Sequence, residues 1–451
     1  MADILTHLKN LTSGDWLHPF PCQKFLNLVQ QYEKDFRGAG KPLFIFLTQS
    51  DTEQFLAVFL AGISAGCHIF LCNPDWGENE WRQVYSLAKP DFVFGRKPER
   101  GEDERVNPIL PGPCILIPTG GTSGKIRFAI HTWETLEASV KGFREYYGLK
   151  RINSFCILPL YHVSGLMQFV RSFVTGGKFI YFPYGQIKQQ IPYYLDVENY
   201  FISLVPTQLQ YLLRSQPGWL SEFSTVLLGG APTQRMFLEE ARLANIKISL
   251  TYGMTETASQ IVNLKPEEFL AGNLSNGSVL PHAEVKIYNG ESQEVTKGET
   301  GVIGIKSPSL FLGYYPALNR LEIFFTDDLG YFDEENCLHI IGRNSQKIIT
   351  GGENVHPLEI ETAIKATNLV QDVAVIGYPD ERWGQIVIAF YVPGGEDIKS
   401  PQDIEDRLRL QLAKYKVPKL WIVLPIIPTN EAGKINYQQL QSIARTYTAH
   451  I

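Results

Sequence analysis

Residues 115–125 read Ile-Leu-Ile-Pro-Thr-Gly-Gly-Thr-Ser-Gly-Lys. A short apolar run enters a stretch of glycines and hydroxyls without a polar helix between them. The run has the character of a strand buried in an α/β layer. The glycines at 120, 121 and 124 let the chain turn sharply and bring its N–H groups close to an anion. The same punctuation recurs outward in both directions. PLFIFL (42–47), FCILP (155–159), KFIYF (178–182), FISLV (201–205) and STVLLGG (224–230) read as strands. Helical patterns such as 132–147 and 206–214 lie between them. This alternation is the rhythm of parallel α/β architecture.

From about residue 278 to 342 the texture changes to short β-type runs (VLPHAEVKIYN, GVIGIKS, CLHIIG) split by glycine, which predicts a β subdomain or barrel. Beyond it Pro357 opens a helix with Glu359 and Glu361 in its first turns, suited to the helix dipole. The strands VAVIG (373–377), QIVIAFYV (385–392) and LWIVLP (420–425) follow, with a helix capped by Ser400 and Pro401 between the last two. The expected fold is therefore α/β. A large N-terminal domain (1–342) of parallel layers carries a β subdomain, a hinge occupies 343–347, and a small mobile α/β domain covers 348–451.

Bulk properties narrow the function. Net charge is −6, from 41 basic and 47 acidic residues, and no basic block stands out, which argues against a nucleic-acid partner. The six cysteines are scattered with no CxxC pair, so neither a zinc site nor a disulfide framework is indicated, and a reducing cytoplasm is the expected location. The N-terminus MADILTHLKN lacks a signal-peptide pattern. The apolar stretch 55–72 reads as a helix started at residues 50–53, ended by Gly66 and followed by a buried strand at 67–72, rather than as a transmembrane segment.

The loop Thr119-Gly120-Gly121-Thr122-Ser123-Gly124 is not a Walker A motif, because Lys125 is followed by Ile126 where a hydroxyl residue is required. Alone it is compatible with a plain glycine-rich turn. It is joined by Tyr252-Gly253-Met254-Thr255-Glu256-Thr257, Thr326-Asp327-Asp328, Gly342-Arg343 and Gly433-Lys434. With these motifs in this order, the chain resembles the acyl-adenylate-forming superfamily over nearly its whole length.

The resemblance implies a reaction in two halves: a carboxylate attacks the α-phosphate of ATP, and the thiol of coenzyme A then attacks the acyl-AMP. The substrate supplies the nucleophile, so catalysis amounts to positioning and charge neutralisation. By resemblance, Thr119 to Gly124 hold the outer phosphates. Arg127 stands where the family commonly has lysine, keeping the charge but not its geometry, and Lys125 has no catalytic role. Gly229, Gly230 and Ala231 line the adenine, Tyr252 with Gly253 stacks on it, Thr255 touches the α-phosphate, and Glu256 helps hold Mg²⁺. Outside this constellation Tyr252 would read as core and Glu256 as a solvated helix start. Asp328 and Arg343 are expected at the ribose and phosphate, and Asp327 is expected as a surface or turn residue. Lys434 matches the adenylating lysine, Ser345 the hinge position, and Gly351 and Gly352 the loop that guides pantetheine. Trp383 and Gly384 are candidates for coenzyme A contact, with packing an equal alternative for Trp383.

The segment LPLYHVSGL (158–166) bears on the acid. Amino-acid adenylation domains carry Asp where His162 stands, so an amino-acid substrate is disfavoured. His162 resembles the gate of acyl-CoA ligases, with a structural histidine as the alternative. PLYHVSGLMQFVRSF, SLVPTQLQYLL and IITGGENVHPLEIE are similar to the o-succinylbenzoate–CoA ligase branch, which serves menaquinone and phylloquinone biosynthesis. That acid is a dicarboxylate of which one carboxylate is activated. Arg171 is the candidate partner for the other, since Arg pairs with a carboxylate bidentately. Ser164 and Gln208 are secondary candidates, and the alternative for Arg171 is a surface helix charge. A ligase for another aryl or short-chain acid, and a non-catalytic adenylate-binding protein, are the competing readings.

Overall fold

The computed structural model describes residues 4–12, 14–96, 106–120, 125–233, 235–350, 353–380, 382–394, 401–429 and 435–448. Two compact units make up the chain. The first comprises Met1–Gly230, Glu240–Glu284 and Ile305–Phe324, and the second Ala231–Glu239, Val285–Gly304 and Phe325–Ile451.

Two sheets organise the first unit. One has eight strands in the order Leu17–His18, Phe179–Tyr181, Asn153–Cys156, Tyr200–Leu204, Thr225–Leu228, Ile248–Met254, Ser259–Asn263 and Ser278–Val279. Its first six strands run parallel and the last two pair antiparallel. The other orders Phe92–Gly95, Phe44–Thr48, His68–Leu71, Ile115–Gly120 and Ile126–His131, and ends in an antiparallel hairpin. Each apolar run named from the sequence in this unit became one of these strands, because a parallel strand is covered on both faces and has no polar side. The helix Thr52–Ser64 is capped by the Asp51 carboxylate, which accepts from Gln54 N at 2.8 Å. Its residues Phe55 to Ile63 are all buried, which accounts for their continuous apolar character within a folded core. Among the described residues no helix is long and apolar enough to cross a membrane, and all six cysteines are free thiols.

The second unit holds a four-stranded sheet, Glu284–Tyr288, Gly301–Lys306, Phe324–Phe332 and Leu338–Arg343, with some strand ends belonging to the first unit. It also holds a five-stranded sheet built on the long hairpin Val370–Asp380 and Gly384–Pro393. Alternate residues of that hairpin enter two separate cores. Val373, Val375, Val387 and Ala389 pack with Ile360, Ile364, Ile404 and Leu408. Ala374, Ile376, Ile388 and Phe390 pack with Leu440 and Ala444. A strand buried on both faces therefore reads as an unbroken apolar run.

Candidate active site

The glycine-rich segment falls between two paired antiparallel strands, Ile115–Gly120 and Ile126–His131, so the described chain on either side of it is strand. The strand continues through Pro118 and Thr119 to Gly120, three residues beyond the apolar run. Thr119 lies in register opposite Arg127. The Arg127 guanidinium sits over the ring of Tyr314, 4.2 Å from its centroid. The Tyr314 hydroxyl donates to Glu256 Oε1 at 2.6 Å, and burial, followed by the Glu256 charge, pushes that hydroxyl's pKa up. Arg127 and Glu256, 129 residues apart, are thus linked through one aromatic ring. No sequence signal marked Tyr314, because only the bridge between Ala129 and Tyr314 brings it beside the hairpin.

The motif Tyr252 to Thr257 closes the parallel strand Ile248–Met254 and enters a single 3₁₀ turn, Thr255–Thr257. Ala258 and Ser259 follow with φ of 49° and 93°, a left-handed conformation costly for residues with a Cβ. Three contacts over-determine it. Ser139 Oγ donates to Ala258 O at 2.8 Å, Thr257 Oγ1 to Ser259 O at 2.5 Å, and Arg171 to Ser259 Oγ at 3.0 Å. Gly253 is required here, since a Cβ would lie 2.1 Å from the Ser259 carbonyl. His131 Nε2 sits 2.7 Å from the Thr255 carbonyl, which requires the proton on that nitrogen, and Nδ1 faces Thr135 Oγ1 at 2.9 Å. Burial lowers the His131 pKa to about 4, so the ring stays neutral and holds Thr255 in place.

Arg171 is not a surface charge: its residue is 2% exposed on the helix Val163–Thr175. Its guanidinium donates to Ser259 Oγ at 3.0 Å and Gln260 Oε1 at 2.6 Å and lies over the Phe143 ring at 4.2 Å. Nε has no partner, and no carboxylate pairs with the guanidinium among the described residues. Burial lowers its pKa to about 10, so it stays charged at neutral pH. Ser164, Gln168 and Arg171 stand at i, i+4 and i+7 on this apolar helix, one polar stripe. Ser164 is exposed at its start. Gln168 donates to Ser164 O at 2.9 Å, while its buried Oε1 has no partner among the described residues. Gln168 was not singled out from the sequence, although its spacing four residues after Ser164 and three before Arg171 was the signal that could have found it.

His282, which no motif marked, completes the cluster. Among the described residues both its buried ring nitrogens lack a hydrogen-bond partner. Its pKa falls to about 4 through burial and then the Arg171 charge. Gly142 makes room for it: a Cβ there would stand 1.8 Å from His282 Nδ1. In an open helix Gly→Ala stabilises by about 1 kcal/mol. Here Gly142→Ala is expected to reverse that sign and cost about 1–3 kcal/mol through overpacking. Thermal unfolding checks this, and an unchanged or raised midpoint would contradict the ring's placement.

The remaining expectations fall as follows. His162 is the N-cap residue of the Arg171 helix, half-buried, its ring 4.6 Å from that of Tyr161. Gln208 points its Oε1 to Val205 N at 3.1 Å and closes the start of its own helix. Tyr252 is 8% exposed. Gly229, Gly230 and Ala231 follow the strand Thr225–Leu228 in an irregular segment, with Gly230 at φ 86°. Gly121, Thr122, Ser123, Gly124, Gly351, Gly352 and Lys434 lie outside the described residues. Among the described residues no three His, Cys, Asp or Glu side chains form a metal cluster.

In the second unit, Asp328 Oδ1 pairs with Arg343 Nε at 3.3 Å across the strands Phe324–Phe332 and Leu338–Arg343. Asp327, expected on the surface or in a turn, is exposed but lies within the strand, because its neighbours Thr326 and Asp328 alternate inward. Its carboxylate accepts from Ser345 N at 2.9 Å and from Ser345 Oγ. Trp383 is 40% exposed at the tip of the long hairpin, with Lys419 Nζ 3.6 Å from its ring centroid, so it is a cation-bearing surface ring rather than a packing residue.

Glu361 is the unusual carboxyl of this unit. It is 7% exposed, accepts from Val375 N at 2.8 Å, and burial raises its pKa to about 7. A carboxyl whose folded pKa lies above its unfolded value contributes stability at low pH that is lost as pH rises from about 4.5 through 7. Glu361→Gln keeps the acceptor and removes the titration. Its stability should match wild type near pH 4 and exceed it by up to about 3 kcal/mol at pH 8. Denaturant unfolding at the two pH values tests this, and equal differences at both would refute the buried titration. His131, whose charging destabilises below about pH 6.5, is common to both proteins and cancels.

The AMP-binding enzyme family matches residues 97–315 and its C-terminal domain residues 359–434. The 2-succinylbenzoate–CoA ligase of Listeria monocytogenes is 35% identical over 341 residues, 74% of this chain and 70% of that protein. The Bacillus subtilis ligase of the same name is 29% identical over 384 residues, 84% and 78% of the two chains. Among solved structures, the B. subtilis o-succinylbenzoate CoA synthetase in complex with its acyl-adenylate aligns over 98% of both chains, with a TM-score of 0.83 at 24% identity. The ATP-bound MatB of Rhodopseudomonas palustris aligns over 98% of this chain and 99% of its own, with a TM-score of 0.82 at 22% identity, so both likenesses show the fold alone. By sequence, this chain belongs to the AMP-binding enzymes, in the family that includes the 2-succinylbenzoate–CoA ligases.

Proposed function

We propose that the protein joins 2-succinylbenzoate to coenzyme A in the cytoplasm, as a step of menaquinone or phylloquinone biosynthesis. A carboxylate oxygen attacks the α-phosphorus of ATP and pyrophosphate leaves. The thiol of coenzyme A, losing its proton, then attacks the acyl carbon and AMP leaves. The observation that carries the substrate assignment is the buried Arg171 guanidinium. An uncompensated buried charge is costly, and a dicarboxylate whose second carboxylate is not activated supplies the missing counter-charge. Ser164 lies on the same helix face.

The other roles rest on family membership. Thr119 to Gly124 and Arg127 take the outer phosphates. Gly229, Gly230, Ala231, Tyr252 and Gly253 take the adenine, Asp328 and Arg343 the ribose, and Thr255 the α-phosphate. Lys434 serves adenylation, and His162, Gly351, Gly352 and Trp383 serve the coenzyme A step, with rotation about Ser345 between the two. Magnesium fits Glu256 as the single acidic ligand. Tyr314 takes one carboxylate oxygen, and the absence of a ligand cluster among the described residues suits an ion that arrives with the nucleotide's phosphates. Bound there, the ion neutralises phosphate charge.

The test is thioester formation with ATP, Mg²⁺ and a panel of acids: 2-succinylbenzoate, benzoate, 4-phenylbutyrate and a medium-chain fatty acid. Strong preference for 2-succinylbenzoate is expected. Turnover of only the others would keep the ligase mechanism and discard the role of Arg171. ATP binding without pyrophosphate release from any acid would favour a non-catalytic binder.

A further inference from the structure

The chain leaves the four-stranded sheet of the second unit at Arg343, passes through one 3₁₀ turn, Asn344–Gln346, and enters the strand Ile348–Thr350 of the five-stranded sheet. This crossing is short, and each side of it is tied down. Arg343 pairs with Asp328 at 3.3 Å, and Gln346 hydrogen-bonds Tyr437. Between them, Asp327 reaches Ser345 with both carboxylate oxygens: Oδ1 accepts from the backbone N–H at 2.9 Å and Oδ2 from the hydroxyl.

The two bonds end on one residue, and that has a geometric consequence. The angle between the N–H and Cα–Cβ directions of a residue is set by its φ. A carboxylate that accepts from the N–H and from the hydroxyl on Cβ therefore fixes φ of Ser345. Hinge motion is a large change of φ and ψ at a few residues. A large rotation about φ of Ser345 breaks at least one of these charge-assisted bonds, whereas rotation about ψ leaves both in place. Both side chains are exposed, so the grip is weakened by water and stays reversible.

We propose that Asp327 is a latch on Ser345, a positioning residue that stabilises one of the two orientations the reaction cycle visits. The proposal rests on the preceding reading, in which Ser345 is the hinge between adenylation and thioester formation. Asp327 touches no reacting atom. Its effect is to bias the two orientations, which catalyse different half-reactions.

The experiment measures the half-reactions separately in the full-length protein: pyrophosphate release from ATP and the acid, and thioester formation from supplied acyl-AMP and coenzyme A. In Asp327→Ala one rate is expected to rise and the other to fall, changing their ratio by about 5-fold or more. Asp327→Asn, which keeps an acceptor for the Ser345 N–H, should lie between wild type and alanine. Asp327→Ala combined with Ser345→Ala should add little to Asp327→Ala alone, because both remove one interaction. An unchanged ratio, or an equal fall in both rates, overturns the latch. If wild type itself forms no acyl-AMP from any acid in the panel, the ligase reading fails and the latch with it. A wild type active in both half-reactions beside an alanine variant of unchanged ratio removes the latch alone.

Discussion

Arg171→Met is expected to lower kcat/KM for 2-succinylbenzoate by roughly a hundred- to a thousandfold, while benzoate and 4-phenylbutyrate change by less than about tenfold. The size follows from burial. Arg171 is 2% exposed and has no carboxylate partner among the described residues, so a bound carboxylate would be desolvated along with it. Removing one member of a buried ion pair costs about 3–5 kcal/mol, because the other is left unpaired, and each 1.36 kcal/mol is a factor of about ten. Methionine fills much of the same volume, which limits the cavity over Phe143. The loss of the bonds to Ser259 and Gln260 weakens the turn after Thr257 for every acid, which is why the monocarboxylates are not wholly spared. The selectivity ratio is the decisive quantity. Equal losses for mono- and dicarboxylates would assign Arg171 to the turn alone. Arg171→Lys keeps the charge without the planar fork and should fall between.

Lys434→Ala is expected to slow pyrophosphate release by about a hundred- to a thousandfold and leave thioester formation from supplied acyl-AMP within about threefold of wild type. During adenylation the attacking carboxylate must be held against the phosphate, and negative charge builds on the bridging oxygen that leaves with pyrophosphate. Loss of one preorganised group that stabilises such charge typically has this effect. Thiol attack on a preformed acyl-AMP breaks the acyl–oxygen bond and not a bond to phosphorus, and in the proposed two-orientation cycle it takes place with Lys434 withdrawn, so it does not call on that ammonium. Comparing the two half-reactions in one preparation checks the assignment. Equal loss of both would remove the two-orientation scheme and the adenylating role of Lys434 together.

Much of the fold was legible. The runs at 42–47, 115–117, 155–159, 178–182, 201–205 and 224–230 all became strands, because an apolar stretch bounded by turn residues has few alternatives to a covered strand. The helix cap at Asp51 and the proline start at Pro357 were equally plain, since capping is local chemistry. The Thr326–Asp328 strand was less so. Its two adjacent acids resemble a turn, and only pairing with Leu338–Arg343 makes it a strand. The candidate site was partly legible for the same reason. Thr119, Tyr252, Thr255 and Glu256 sit in contiguous motifs, whereas Tyr314, His131 and His282 are assembled by contacts across more than a hundred residues or across sheets.

What the sequence by itself determined is the order of strands and helices, the motifs that identify the family, and the presence of one arginine within an apolar helix. These depend on local periodicity and on residue types at short spacing. What only the tertiary structure decided is the state of those groups. It shows that Arg171 is buried without a counter-charge among the described residues, that Glu361 is desolvated, and that Asp327 holds Ser345. Burial and partnership are set by which distant segments pack together. The free energy of a charge depends on that surrounding medium far more than on its neighbours along the chain.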